Sequence, residues 1–171
     1  GHLRTSTNYD KTEKKIVGGK NGFGFKLVLI WSEWGSIETV DAKRNLKYTQ
    51  NFANNLDITE APHITKCKRK PYTKVTFKPD YKRLGLAGLD PTMMALFQRR
   101  VYDMAAITDK KCKVRFNGEE IPIRSFPQYI DLYIGTKDET TRIYETSGER
   151  WEYAVCLAPN EEFMQVSFVN G

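Results

Sequence analysis

The chain has 171 residues, 40% hydrophobic and 28% charged, which is the composition of a globular chain and not of a disordered one. Three separated cysteines without a C-x-x-C motif, and two histidines without ligand-like spacing, support neither a disulfide framework nor a zinc site. No stretch is apolar over the length that a membrane span needs. The net charge of +6 is compatible with a polyanionic partner or simply with a solubilising surface.

A polar segment, Leu3 to Lys20, is typical of a loop that orders when a ligand binds. Its glycine-rich end overlaps the stretch Val17-Gly18-Gly19-Lys20-Asn21-Gly22-Phe23-Gly24-Phe25-Lys26. An apolar helix is predicted directly after it, over Phe25–Trp31, and we expect this helix to be buried on nearly all sides. A glycine loop that leads into a helix N-terminus offers backbone N–H groups to an anion.

Lys20 and Lys26 add positive charge to this loop, so a nucleotide polyphosphate is the expected ligand. The loop lacks the G-K-[ST] ending of a P-loop and the third glycine of a dinucleotide fingerprint. A glycine-rich surface turn is the alternative interpretation. The flanking lysines and the abrupt apolar helix favour the phosphate loop.

Alternating residues then predict three strands, Ser36–Asp41, Leu46–Phe52 and Thr73–Lys78. Antiparallel strands with one covered face indicate an α+β sandwich. Between them, a basic run beside Tyr72 is either a DNA-facing patch or a solvated face, and it comprises Lys66, Lys68, Arg69 and Lys70.

The second half of the chain predicts one long helix and several hairpins. Asp90-Pro91 is a helix start, and a stripe of apolar residues at helical spacing indicates core packing: Met93, Phe97, Val101 and Met104. The further expected elements are a hairpin over 113–123 with an Asn117-Gly118 turn, a helix that ends over 129–134, a boundary at 135–141, a hairpin over 142–157 and a strand over 163–169.

Several segments, in one order, resemble the ATPase region of eukaryotic-type DNA topoisomerase II, a member of the GHKL family. They are Thr5-Ser6-Thr7-Asn8-Tyr9-Asp10, the run from Glu13 to Leu27, Pro71 to Asp80, Arg99-Arg100-Val101-Tyr102-Asp103, Phe116-Asn117-Gly118, Arg150-Trp151-Glu152 and Gln165 to Asn170. The family usually has Arg, Tyr and Ala where this chain has Lys20, Phe23 and Phe25. Lysine keeps the charge of arginine but loses its planar fork.

The resemblance implies a partial GHKL (Bergerat-type) α/β sandwich over residues 1–134. The first strands of a transducer domain, similar to ribosomal S5 domain 2, are then expected over residues 135–171. It also implies ATP and Mg²⁺ as cofactors, double-stranded DNA as substrate, a homodimeric parent enzyme, no membrane association, and a nuclear location, or a virus factory or virion for a viral protein. Another GHKL ATPase, MutL-like or Hsp90-like, and a non-enzymatic basic DNA-binding module are the alternatives.

The resemblance also assigns the site residues. The family's catalytic glutamate and magnesium-binding asparagine lie upstream of this segment and its γ-phosphate lysine lies downstream, so no catalytic or metal residue is expected here and the isolated chain should hydrolyse ATP poorly. Contacts to the ribose and phosphates are expected from Ser6, Thr7, Asn8, Gly19, Lys20, Asn21, Gly22, Phe23, Gly24, Phe25 and Lys26.

Overall fold

The computed structural model describes residues 5–6, 8–10, 12, 19–149, 151–158, 161–169 and 171. The chain forms two compact units, Gly1–Leu89 and Asp90–Gly171. The predicted domain limit at residue 134 rests on the resemblance and stays a prediction. Within the described residues, no helix combines the length and the apolar character needed to cross a membrane.

The first unit contains one short helix and an antiparallel sheet. Its elements are α1 (Gly24–Ile30), β1 (Ser32–Asp41), β2 (Leu46–Ala53), β3 (Ile58–Thr59), β4 (His63–Lys66) and β5 (Tyr72–Pro79). The strands run in the order β3-β2-β1-β5, and β4 pairs with β2. The three predicted strands are therefore confirmed as β1, β2 and β5, each slightly longer than expected. The alternation does not reveal the short strands β3 and β4, which hold too few residues to show a period.

Helix α1 packs on the sheet through one face only. Leu29 is 3% exposed and covers Gly35 of β1, where a Cβ would lie 2.3 Å from Leu29 Cδ2. Leu27 is 53% exposed, so the expectation of a helix buried on nearly all sides is wrong. The helix has only seven residues and lies on one face of the sheet. In the described part of this unit, no element covers its other side.

The C-terminal end of α1 is fixed by polar contacts. The carbonyl oxygen of Ile30 accepts hydrogen bonds from Asn55 Nδ2 at 3.0 Å and from Arg83 Nη1 at 3.1 Å. The Arg83 guanidinium also stacks 4.6 Å from the centre of the Trp31 ring. A cation at this end complements the helix dipole and satisfies a carbonyl without an intrahelical partner. These contacts hold α1 at one place on the sheet.

The second unit consists of two helices and two hairpins. Its elements are α2 (Pro91–Ile107), β6 (Arg115–Phe116), β7 (Glu119–Glu120), α3 (Phe126–Ile134), β8 (Arg142–Ser147) and β9 (Trp151–Cys156). The predicted start of α2 is confirmed, because the Asp90 side chain accepts a 2.7 Å hydrogen bond from the Met93 N–H. The β6–β7 turn is also confirmed, with positive φ at Asn117 and Gly118.

One expectation for this unit holds only in part, and another is wrong. Of the predicted α2 stripe, Val101 packs against the core, but the fully buried α2 residues are Ala105 and Ala106, and Phe97 is 47% exposed. Small residues allow the close approach of Ile121, Ile123 and Tyr129, which complete this core. The segment 163–169 forms no strand. Its apolar alternation is real, but a strand also needs a hydrogen-bonded neighbour, and no described strand of this unit pairs with it.

Candidate nucleotide site

The glycine loop contains one residue with positive φ. Gly22 has φ +68°, a conformation that side chains with a Cβ rarely adopt. A Cβ there would lie 3.2 Å from the Ser6 backbone nitrogen and 3.5 Å from Lys26 Nζ. The loop therefore passes close to the Thr5-Ser6 segment at Gly22, and the space between them is too small for a larger residue.

Lys26 lies under this loop, in the first turn of α1. Its residue surface is only 9% exposed. The ammonium group donates hydrogen bonds to the Gly22 carbonyl oxygen at 2.8 Å and to Thr5 Oγ1 at 2.6 Å. Both acceptors are neutral, and an ammonium group has three donors, so the described residues engage two of its donors and none of its charge. A buried lysine with no carboxylate among its described partners is suited to binding phosphate oxygens.

The polar N-terminal segment contacts the glycine loop at three separated points. Asn8 donates a side-chain hydrogen bond to the Gly19 carbonyl oxygen, and Tyr9 Oη lies 3.5 Å from the Asn21 carbonyl oxygen. The Thr5 contact with Lys26 is the third. Ser6 belongs to the same assembly, because its hydroxyl accepts a 3.0 Å hydrogen bond from the Asn8 N–H. The structure thus brings the two predicted ligand-binding segments together, although 11 to 21 residues separate the partners.

The remaining predicted site residues are arranged as follows. Lys20 and Asn21 are exposed in the loop. Phe23 immediately precedes α1 and is 36% exposed. Gly24 and Phe25 are the first two residues of α1, and a Cβ at Gly24 would meet no atom within 4 Å. Thr7 lies outside the described residues. The first turn of α1 has neither a side-chain cap nor an acidic residue that would repel an anion.

Asp10 is the described carboxylate of the polar N-terminal segment. Its Oδ1 accepts hydrogen bonds from the Thr12 hydroxyl at 2.6 Å and from the Thr12 N–H at 2.9 Å. Both bonds lower the pKa of Asp10 below its ordinary value, and the bond from the hydroxyl has the larger effect. Asp10 is therefore ionised at neutral pH and is a weak general base. Among the described residues, no group of three or more His, Cys, Asp or Glu side chains could hold a metal ion.

Thr5 is a member of the site that the sequence does not single out. It stands within a longer polar segment, and a single threonine 21 residues before its partner forms no local pattern. Its neighbours Ser6, Thr7 and Asn8 are predicted as site residues from the family resemblance, which assigns no role to Thr5. The contact of Thr5 with Lys26 is visible only after the segment has folded over the loop.

Comparison with curated proteins finds DNA topoisomerase 2 of several eukaryotes and of a virus. The chain is 46% identical to the Arabidopsis thaliana enzyme over 177 residues, which cover 99% of this chain and 12% of that enzyme. It is 46% identical to the Acanthamoeba polyphaga mimivirus enzyme and 40% identical to the Saccharomyces cerevisiae enzyme, over 99% of this chain in both cases. The chain spans about an eighth of the length of these relatives. No protein-family profile matches it.

Solved structures of the same enzyme share the fold. The ATPase region of Saccharomyces cerevisiae topoisomerase II matches with a TM-score of 0.83 and 44% identity, over 90% of this chain and 41% of the solved chain. The ATPase and transducer domains of DNA topoisomerase II from Balamuthia mandrillaris match with a TM-score of 0.89 and 37% identity. That match covers 99% of this chain and 43% of the solved chain. The predicted fold class, a partial GHKL sandwich followed by the start of a transducer, is thereby confirmed.

Proposed function

From the premise that this chain belongs to the eukaryotic-type DNA topoisomerase II family, we propose that it forms part of the ATP-binding region of a type II DNA topoisomerase. The observation that carries the proposal is the ammonium group of Lys26, a buried residue, held by Thr5 and Gly22 at the base of the glycine loop. In a non-enzymatic DNA-binding module, a glycine-rich turn would have no need of a buried cation beneath it.

Each residue of the proposed site binds the part of the nucleotide that suits its chemistry. Lys26 neutralises phosphate charge with its remaining donor, and Gly22 lets the loop backbone pass close to the ligand. Ser6 and Asn8 supply hydroxyl and amide groups for the ribose and phosphates, and Asn8 also ties their segment to Gly19. Lys20 adds an exposed positive charge at the rim. Bound ATP supplies the phosphoanhydride bond whose cleavage drives the cycle of the parent enzyme.

The fit differs between the two expected cofactors. For ATP, the cation, the positive-φ glycine and the polar segment are all present on one side of α1. For Mg²⁺, the described residues provide no group of three or more His, Cys, Asp or Glu side chains, and the family resemblance places the magnesium-binding asparagine upstream of this segment. Coordination of Mg²⁺ is therefore part of the proposal only for the parent enzyme.

The activity of the parent enzyme is likewise proposed from the family. ATP binding would clamp two subunits together, one DNA duplex would pass through a transient break in another, and hydrolysis would reset the clamp. Double-stranded DNA and a second copy of the polypeptide are the partners that this cycle needs. A nuclear location, or a virus factory or virion for a viral protein, follows from the same role.

Calorimetric titration of the full-length protein with a non-hydrolysable ATP analogue tests the proposal. Lys26→Met keeps most of the side-chain volume and removes the charge, so we expect affinity to fall by about 1.5–3 kcal/mol, or about 10- to 150-fold. Lys26→Ala should have at least the same effect. The matched control is Lys110→Met, an exposed lysine in the second unit, which should bind normally. Unchanged affinity in a folded Lys26→Met protein would overturn the assignment.

Gly24→Val provides a second arm of the same experiment. A Cβ at Gly24 meets no atom within 4 Å, so the variant should fold with nearly unchanged thermal stability. Its methyl groups would occupy the space where phosphate meets the start of α1, and binding of the analogue should be abolished. A glycine run that serves only as a turn predicts instead that the variant binds as tightly as the wild type.

A further inference from the structure

The positive charge of this chain is concentrated in two short segments. Residues 41–47 and 63–74 together contain eight Lys or Arg residues and one carboxylate, Asp41. The whole chain has 27 Lys and Arg and 21 Asp and Glu, so 27 minus 8 leaves 19 cations and 21 minus 1 leaves 20 anions elsewhere. The net charge of +6 is therefore a local property of these segments, and the rest of the chain is almost neutral.

The fold places both segments at the same end of the sheet in the first unit. The turn between β1 and β2 follows Asp41, and the loop between β4 and β5 begins after Lys66, which is the register partner of Leu46. This loop runs from β4 past the ends of β2 and β1 to reach β5, where Tyr72 pairs with Val40. The loop crosses three inter-strand spacings between β4 and β5, a distance of about 14 Å.

A backbone hydrogen bond joins the β1–β2 turn to the β4–β5 loop. The Cys67 N–H donates a 2.8 Å hydrogen bond to the Asn45 carbonyl oxygen, and Asn45 adopts positive φ in the turn. A cleft of about 290 Å³ lies where they meet, lined by Arg44, Asn45, Leu46, Lys66, Cys67 and Lys68. Three cations and one amide thus surround a concave surface that has room for a phosphate group.

We propose that this end of the sheet, the basic edge, contacts the phosphate backbone of double-stranded DNA. The basic edge consists of Lys43, Arg44, Lys66, Lys68, Arg69 and Lys70, all of which are exposed. The inference rests on the proposed function, in which duplex DNA is the substrate, and it names a surface that this substrate touches. A row of cations about 14 Å long matches a polyanion with regularly spaced charges better than it matches a single small anion.

The basic edge favours a duplex over a single strand. Single-stranded nucleic acids are bound largely by stacking of their bases on exposed aromatic rings. Tyr72 is the aromatic residue that follows this run of cations, and it is only partly exposed, with its hydroxyl donating to Glu38. The basic edge therefore offers charge without a stacking platform, and we expect contacts to phosphates that do not depend on base sequence.

The test measures binding of the full-length protein to a fluorescent 30-base-pair duplex by anisotropy, over a series of salt concentrations. The variant is the triple substitution Lys68→Gln, Arg69→Gln and Lys70→Gln. We expect at least about tenfold weaker binding near 100 mM salt. The slope of log K against log salt should decrease by about 0.9 for each phosphate that is no longer neutralised, or about 2.7 in total. The matched control removes three exposed lysines of the second unit: Lys110→Gln, Lys111→Gln and Lys137→Gln.

The possible outcomes separate this inference from the proposed function. If the wild-type protein does not bind the duplex, the proposed DNA substrate is wrong. If the wild type binds and both triple variants lower affinity and slope equally, the effect is net charge and the basic edge does not touch DNA. A basic-edge variant that loses affinity for single-stranded RNA but keeps it for duplex DNA would also overturn the inference. Calorimetry with the ATP analogue should show normal nucleotide binding by both variants.

Discussion

Thr5 and Lys26 are 21 residues apart in the chain, yet the hydroxyl of one accepts a hydrogen bond from the ammonium group of the other. The Gly22 carbonyl oxygen accepts a second bond from the same group. A lysine side chain loses about 2 kcal/mol of rotamer freedom when it is fixed, and here the hydrogen bonds to Thr5 and Gly22 fix it from within the protein. We therefore interpret Thr5 as a positioning residue that directs the remaining donor of Lys26 toward phosphate.

Thr5→Val tests this role, because valine has nearly the shape of threonine but no hydroxyl. We expect several-fold weaker binding of a non-hydrolysable ATP analogue by the full-length protein, since Lys26 must then be ordered by the ligand. Thr5→Ser should restore the affinity. In a double-mutant cycle, Thr5→Val should have little further effect in a Lys26→Met background. Equal losses in both backgrounds would show that Thr5 acts on the fold and not through Lys26.

At the scale of single residues, the sequence predicts those features that depend on residues close together in the chain. The glycine spacing and the adjacent lysines predict a phosphate loop, and this stays a prediction, because the positive φ at Gly22 fits a surface turn equally well. The contacts of Asn8 with Gly19 and of Thr5 with Lys26 could not be predicted, because they depend on how a polar segment folds back over the loop. Such hydrogen bonds between distant residues leave no periodicity in the sequence.

At the scale of elements, the position of α1 on the sheet decides where Lys26 lies. The contact that sets it is Leu29 over Gly35, where a Cβ would approach Leu29 Cδ2 to 2.3 Å. Glycine is required there because the helix comes so close to β1, and the φ of this residue is not positive. Pairing of Gly35 with Phe52 and Phe77 places it among large side chains on the same face of the sheet.

Gly35→Val should therefore displace α1 and Lys26 together. Overpacking of this kind costs about 1–3 kcal/mol of unfolding free energy, and nucleotide affinity should fall as well, although residue 35 belongs to none of the predicted ligand contacts. Chemical denaturation and calorimetry with the ATP analogue measure the two effects. Gly88→Val is the matched control, because a Cβ at Gly88 meets no atom within 4 Å. Full nucleotide affinity in Gly35→Val would show that Lys26 does not depend on the position of α1.

The predicted elements differ in how well their local signals determine them. The N-cap of α2 at Asp90 and the Asn117-Gly118 turn are fixed by their own residues, and both are confirmed. The helix α1 and the segment 163–169 show the limit of this reasoning. Their apolar patterns indicate which residues can be buried. Leu27 and Phe163 are nevertheless exposed, because burial also needs a neighbouring element that covers the side chain.

At the scale of the whole molecule, we predict nucleotide binding without hydrolysis for this chain alone. Hydrolysis of ATP needs an activated water and stabilisation of the developing phosphate charge, usually by a metal ion. Asp10 has a lowered pKa and is already engaged by Thr12, so it is a poor base for that water. The described residues offer no cluster of ligands for the metal. The family resemblance assigns the catalytic glutamate and the magnesium-binding asparagine to the segment upstream.

We therefore expect the 171-residue chain alone to release no inorganic phosphate from ATP above background, at any Mg²⁺ concentration. A colorimetric phosphate assay on the purified chain measures this, and the Lys26→Met chain identifies turnover by contaminants, which would be equal in both samples. The full-length protein should hydrolyse ATP and lose that activity with Lys26→Met. Magnesium-dependent turnover by the isolated chain that disappears in its Lys26→Met variant would contradict this expectation. A base and a metal ligand would then have to lie within these 171 residues, and Glu13, which lies outside the described residues, would be the first candidate to substitute.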